Sequence, residues 1–210
     1  MNDEKYALWL VGRGAWLVEN TLDLQQRQDA LDSVLYAQLR ADKRSDGRAS
    51  DHGQWFEVYQ RSLTELGWIT LQRYRERTAV ESDLTASLEP MQAWLTTRDP
   101  SLSSELDAAV QALASESARR HLGRFEPTQP PQPHELGVVS RDNVIAMCSL
   151  HYETIAATRR QSLSAWVGCV DEQAFAIKRE ALRALIESKY SEDHFTYVGK
   201  LASGGVHGQV

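Results

Sequence analysis

With 210 residues, 42% of them apolar and 25% charged, the chain can fold as one domain or two small ones and lies outside the low-hydrophobicity, high-charge regime of disordered proteins. A formal charge of −6 excludes a surface dominated by phosphate-binding cations, so nucleic acid is not an expected partner. Two cysteines, Cys148 and Cys169, exclude a disulfide framework and suit reduced thiols in a cytoplasmic location.

In chain order, the first feature is the apolar run YALWLVGRGAWLV, residues 6–18. It is too short to span a bilayer, Arg13 interrupts it, Asp3 and Glu4 precede it, and no small-residue cleavage pattern follows. It is read as a buried helix, and a membrane partner is not expected. Leu24, Leu31, Val34, Leu35 and Leu39 recur at helical spacing and form an amphipathic helix. A polar stretch over residues 41–53 then reads as an exposed loop.

QWFEVYQRSLTELGW, residues 54–68, holds two tryptophans, a phenylalanine and a tyrosine. Asp51 is placed to cap a helix here and Gly67 to end it. Trp55, Tyr59, Ser62 and Leu66 form one stripe, widened by Phe56 and Leu63, and such a face must be covered. Packing against the helices of residues 6–18 and 24–39 covers it. Trp55, Tyr59 and Trp68 are also the candidate partner-contact residues, because aromatic side chains anchor interfaces, and Trp68 lies past the helix end and off the stripe.

Residues 68–80, WITLQRYRERTAV, mix β-favouring residues with Arg73, Arg75 and Arg77 at alternate positions, which fits an edge strand or a helix with a solvated face. A helix is expected within residues 82–97. A second runs over residues 99–122, with Leu102, Leu106, Ala109, Val110 and Leu113 on one stripe and Gly123 closing it. FEPTQPPQPHELG, residues 125–137, contains four of the six prolines and cannot continue a helix.

Beyond it, GVVSRDNVIAMCSLHYETI and SLSAWVGCV are rich in β-branched residues and read as an antiparallel strand pair around a loop near residues 157–160; this pairing can set Cys148 opposite Cys169, but a disulfide is not expected. A helical period also fits this stretch. Ile177, Ala181, Leu182, Leu185 and Ile186 line one face of a helix, Ser191 caps a short final helix through Val198, and the end is a loose tail. The organisation expected is a mainly helical region 1–124, a proline-rich linker 125–137, a β-hairpin plus helix region 138–202 and a tail 203–210. The fold class is α+β, a helical N-terminal portion with a small C-terminal antiparallel sheet and one packed helix; all-α is the alternative.

No motif names a reaction. Cys148-x-x-His151 with Cys169 and His194 offers metal-ligand types, but positions three apart on a strand face opposite ways, so no metal is expected. The chain lacks a G-x-S-x-G elbow, a complete dinucleotide fingerprint and a P-loop, so neither a catalytic residue nor a cofactor is expected. The function this supports is a soluble, non-catalytic interaction protein that meets a protein partner, or another copy of itself, through the aromatic helix or an exposed sheet edge. Two rivals are a membrane-active or toxin-associated protein using residues 6–18, and a small enzyme using His151 and Tyr152.

Overall fold

The computed structural model describes residues 5–44, 51–80, 87–125, 132–155, 158–189 and 192–201. Within them the chain runs β1 (Tyr6–Val11), β2 (Gly14–Glu19), α1 (Leu24–Arg44), α2 (His52–Leu66), β3 (Trp68–Val80), α3 (Glu89–Arg98), α4 (Ser103–Ala112) and α5 (Glu116–Phe125). It continues with β4 (Glu135–Ser140), β5 (Val144–Ile155), β6 (Thr158–Val170), α6 (Glu172–Lys189) and β7 (Phe195–Leu201). The strands form one seven-stranded sheet in the order β3-β6-β5-β4-β2-β1-β7. Every neighbouring pair is antiparallel except β2 with β4, which is parallel.

This overturns the expected small C-terminal sheet beside a helical N-terminal portion: strands come from the whole length of the chain, and helices cover both faces of the sheet. Trp16, Val18, Met147 and Trp166 meet α1, α2 and α6 on one side. Leu8, Leu10, Leu17, Leu136, Cys148 and Leu163 meet α3, α4 and α5 on the other. A sheet covered on both faces needs apolar side chains at successive positions, and β1 and β2 show that pattern.

Residues 6–18 are therefore a hairpin rather than a helix. Val11 pairs with Gly14 across a two-residue turn, and Gly12 takes φ +53, the positive angle that a glycine-first hairpin turn requires. The glycine has a second reason to be there. A Cβ on Gly12 would come within 2.1 Å of Gln38 Oε1 from α1.

The aromatic helix forms as its sequence directs. Asp51 Oδ1 accepts from the Gln54 amide at 3.0 Å, and Gly67, at φ +111, ends the helix in the left-handed conformation. At α1 a reciprocal box does the same work: Asp23 Oδ1 accepts from the Gln26 amide at 2.7 Å, and Gln26 Oε1 accepts from the Asp23 amide at 3.2 Å. The α1 and α6 helices are tied by Arg179, whose Nε donates to Asp29 Oδ2 at 2.7 Å.

Three further expectations are corrected. The single helix over residues 99–122 is two, α4 and α5; the Ser115 hydroxyl caps the second by accepting from the Ala118 amide at 3.3 Å, and Gly123 lies inside it. The final helix is instead a 3-10 turn, Glu192–His194, followed by β7. Cys148 pairs with Ala165 and Cys169 with Val144, so the thiols are not opposite each other and both are free. Ser191, part of the residue 157–160 loop, most of the proline-rich stretch and the tail 203–210 lie outside the described residues.

Candidate functional site

The sheet ends at β3, a strand of 13 residues that pairs with β6 from Trp68↔Val170 to Val80↔Arg159. No other described strand pairs with its outer edge. Edge strands are usually short or covered, because unpaired backbone groups invite another strand. Here the strand is long and exposed over most of its length, including Ile69 at 50%, Leu71 at 58% and Tyr74 at 37%.

Pairing register decides what each face of β3 presents. Opposed residues of an antiparallel pair share a face. Arg73 opposes Trp166, Arg75 opposes Ser164 and Arg77 opposes Ser162, so all three arginines stand on the side of the sheet that α2 covers. Tyr74 and Glu76 oppose Ala165 and Leu163 and stand on the α3 side, where the Tyr74 ring lies 6.4 Å from Trp94. The Tyr74 hydroxyl donates to Glu76 Oε2 at 2.7 Å, and this bond to a carboxylate raises the phenol pKa above its usual value.

Between α2 and β3 lies a cavity of about 450 Å³. Its floor is Phe56, 1% exposed, and Gln60, 6% exposed; its walls include Arg61 and Thr64 from α2 and Arg73 and Arg75 from β3. Arg75 donates to the Gly53 carbonyl at 3.2 Å and lies 3.9 Å from Glu57. Arg61 and Arg73 make no ion pair or hydrogen bond, and the carboxamide of Gln60 makes no hydrogen bond either, among the described residues. The cavity thus gathers three guanidinium groups, one carboxylate and one amide in a chain whose overall charge is −6.

Under the N-terminal end of α2 a polar row crosses the sheet. Arg75 is paired with Ser164, Ser164 with Ser149, and Ser149 with Glu135. His52 Nε2 lies 3.1 Å from Ser149 Oγ, and the His52 and His151 rings stack at 5.2 Å. Ser149 is 0% exposed, sealed beneath α2, so this serine–histidine contact closes a buried interface and offers no nucleophile to a substrate. Further along, Gln38 Nε2 donates to Glu135 Oε2 at 2.9 Å. Burial, and then the Glu135 carboxylate, raise the Tyr59 hydroxyl well above its ordinary pKa.

The residues singled out from the sequence are placed as follows. Trp55 and Tyr59 are both 0% exposed; Trp55 Nε1 donates to Asp42 Oδ1 at 2.7 Å. Trp68 is 2% exposed, donates through Nε1 to Ser33 Oγ at 3.0 Å and meets the Phe175 ring edge-on. All three lie in the core beneath α1 and α6 and present no surface to a partner. His151 and Tyr152 face opposite sides of β5, since His151 stacks on His52 while Tyr152 packs with the α3–α5 layer. Cys148 and His151 diverge in the same way, and no cluster of three or more His, Cys, Asp or Glu that could hold a metal occurs among the described residues.

The arginine alternation was visible in the sequence, but the open edge and the groove were not, because both depend on β6 arriving from ninety residues away along the chain. Among the described residues, no helix is long and apolar enough to cross a membrane. Comparison with known proteins finds no matching family model, no matching curated protein and no matching solved structure.

Proposed function

We propose that the protein is a non-catalytic binding protein that receives an extended segment of a partner protein along the open edge of β3. The observation that carries this is the edge itself: a 13-residue strand, exposed over most of its length, at the end of the sheet, flanked by a groove and by exposed Ile69 and Leu71. An added strand would satisfy the outward backbone groups of β3, and its side chains would alternate between the α2 groove and the Tyr74 face. The residues with catalytic chemistry support the same reading, since Ser149 and His52 are buried in the interface under α2 and the thiol of Cys148 is enclosed in the core.

Displayed random peptides selected on the immobilised protein, followed by hydrogen exchange with a selected peptide, test this. Protection of alternate backbone amides within residues 68–80 is the expected outcome. Failure to select any peptide, or selected peptides that leave exchange in β3 unchanged, would overturn it.

A further inference from the structure

We infer that the segment received at β3 carries carboxylate side chains at alternate positions, set against Arg73, Arg75 and Arg77, with one carboxylate entering the α2–β3 cavity to meet Gln60 and Arg61. This rests on the reading of β3 as a binding edge and adds the chemistry of the occupant.

Three arginines on one face of a strand stand about 7 Å apart, the two-residue repeat of extended chain. A strand laid against β3 has the same repeat, so acids at every second position meet all three from directly opposite. Arg61 and Arg73 have no anionic partner among the described residues. Gln60 lines the cavity, and its carboxamide makes no hydrogen bond among the described residues. Two guanidinium groups without counterions among the described residues, beside an amide that opens into the cavity, form a site that a carboxylate completes, through charge-assisted hydrogen bonds from arginine and a neutral one from the amide.

The intervening positions of the added strand have the opposite requirement. They fall on the Tyr74 face, where Glu76 repels an acid and the Tyr74 and Trp94 rings offer apolar surface. The pattern read from the protein is therefore acidic, apolar, acidic, apolar, acidic.

The same geometry argues against a second copy of this chain as the occupant. In a two-fold antiparallel pairing of β3 with itself, opposed residues share a face, so a pairing centred on any residue from 73 to 77 sets at least one of Arg73, Arg75 and Arg77 opposite an arginine of the other copy. Like charges directly opposite destabilise a sheet.

A labelled synthetic peptide of about nine residues alternating Glu with Val or Thr is the probe, long enough to cover the three arginines. Its comparisons are a peptide with Gln in place of each Glu, one with the same composition but the glutamates bunched at one end, and a short oligothymidylate. The alternating acidic peptide is expected to bind at least about tenfold more tightly than the Gln and bunched peptides, to weaken with salt and to protect β3 amides. Arg73→Gln and Arg61→Gln, both at exposed side chains, should each weaken it, and Arg73→Glu should turn preference towards a peptide carrying Lys opposite that position.

Equal binding of the Glu and Gln peptides, with β3 protected, would overturn the acidic pattern and leave the binding edge standing. Failure of every peptide to protect β3 would overturn both. An oligothymidylate that displaces the acidic peptide and binds more tightly would replace a protein partner with nucleic acid.

Discussion

Trp16 lies flat against Gly137 across the one parallel pair of the sheet: the two residues are directly opposed, and a Cβ built on Gly137 would sit 2.3 Å from the indole ring. The glycine on β4 is the space into which a central tryptophan of β2 fits. Gly168 serves Trp166 in the same way on β6, where an added Cβ would also meet the ring at 2.3 Å.

Gly137→Ala is therefore expected to destabilise the fold by about 1–3 kcal/mol through overpacking. Trp16→Leu on its own opens a cavity, and in the double variant the alanine has room. A double-mutant cycle by urea denaturation should show the Gly137→Ala cost falling in the Trp16→Leu background, and equal costs in both backgrounds would show that the ring is not what excludes the methyl.

Asp32, 2% exposed on α1, has its carboxyl pushed up to about 6 by burial, against a bond from Gln28 that favours the charged form. The folded protein therefore holds this proton more tightly than the unfolded chain, whose carboxyl titrates near 3.8. Above pH 6 the buried charge opposes folding, and the penalty is relieved as pH falls from about 6 towards 4. Asp32→Asn should raise the urea midpoint at pH 7.5 and raise it less at pH 4.5; a gain that is constant with pH would mean that charge is not the cause.

His121 joins three elements. It is 2% exposed on α5, its Nε2 lies 2.8 Å from the Gly12 carbonyl at the hairpin turn, and its Nδ1 lies 2.8 Å from Thr196 Oγ1 on β7. The carbonyl can only accept, so Nε2 carries the proton and Nδ1 accepts from the threonine hydroxyl. Burial lowers its pKa below 6.5, so the unfolded chain takes up a proton that the folded one refuses. This contribution is complete above about pH 6.5 and is lost as pH falls below it. Nitrogen-15 spectra of the imidazole should show the Nε2–H tautomer at pH 7 and a titration midpoint below 6.5; a midpoint at or above 6.5 would contradict this.

The two thiols should separate kinetically. Cys148 is fully buried, and burial, followed by the Glu135 charge, raises its pKa well above the ordinary value; Cys169 is partly exposed. One equivalent of a thiol reagent is expected to react with the native protein, at Cys169, and the second only on unfolding. Rapid modification of both in native buffer would show that β5 opens readily.

Local signals made the helices legible where their chemistry is local. Asp51 and Gly67 bound α2 in the sequence as in the structure, and Leu31, Val34 and Leu35 of the expected stripe are buried on α1, whereas Leu24 at its start is 74% exposed. The N-terminal hairpin was hidden for the opposite reason. Leu8 and Leu10 face one helical layer while Trp9 and Val11 face the other, so alternation vanishes and the run resembles a buried helix. The Gly12–Arg13 pair between two short apolar runs was the signal that could have found it.

At the candidate site, the arginine alternation of β3 was present in the sequence and read as a solvated edge or helix. Its meaning depends on Arg75 lying opposite Ser164 and on Gln60 lining the groove, relationships between distant segments that no local pattern encodes. The Phe195–Leu201 strand was masked in a similar way, since its neighbour in the sheet is β1 at the other end of the chain.

That last pairing sets an order on synthesis. Tyr6 leaves the ribosome 195 residues ahead of its partner Leu201. On its other flank the hairpin waits for β4. Until both arrive, the nascent hairpin carries two bare edges and two uncovered apolar faces, so the sheet closes only after β7 has been made, and until then the hairpin is open to pairing with other chains.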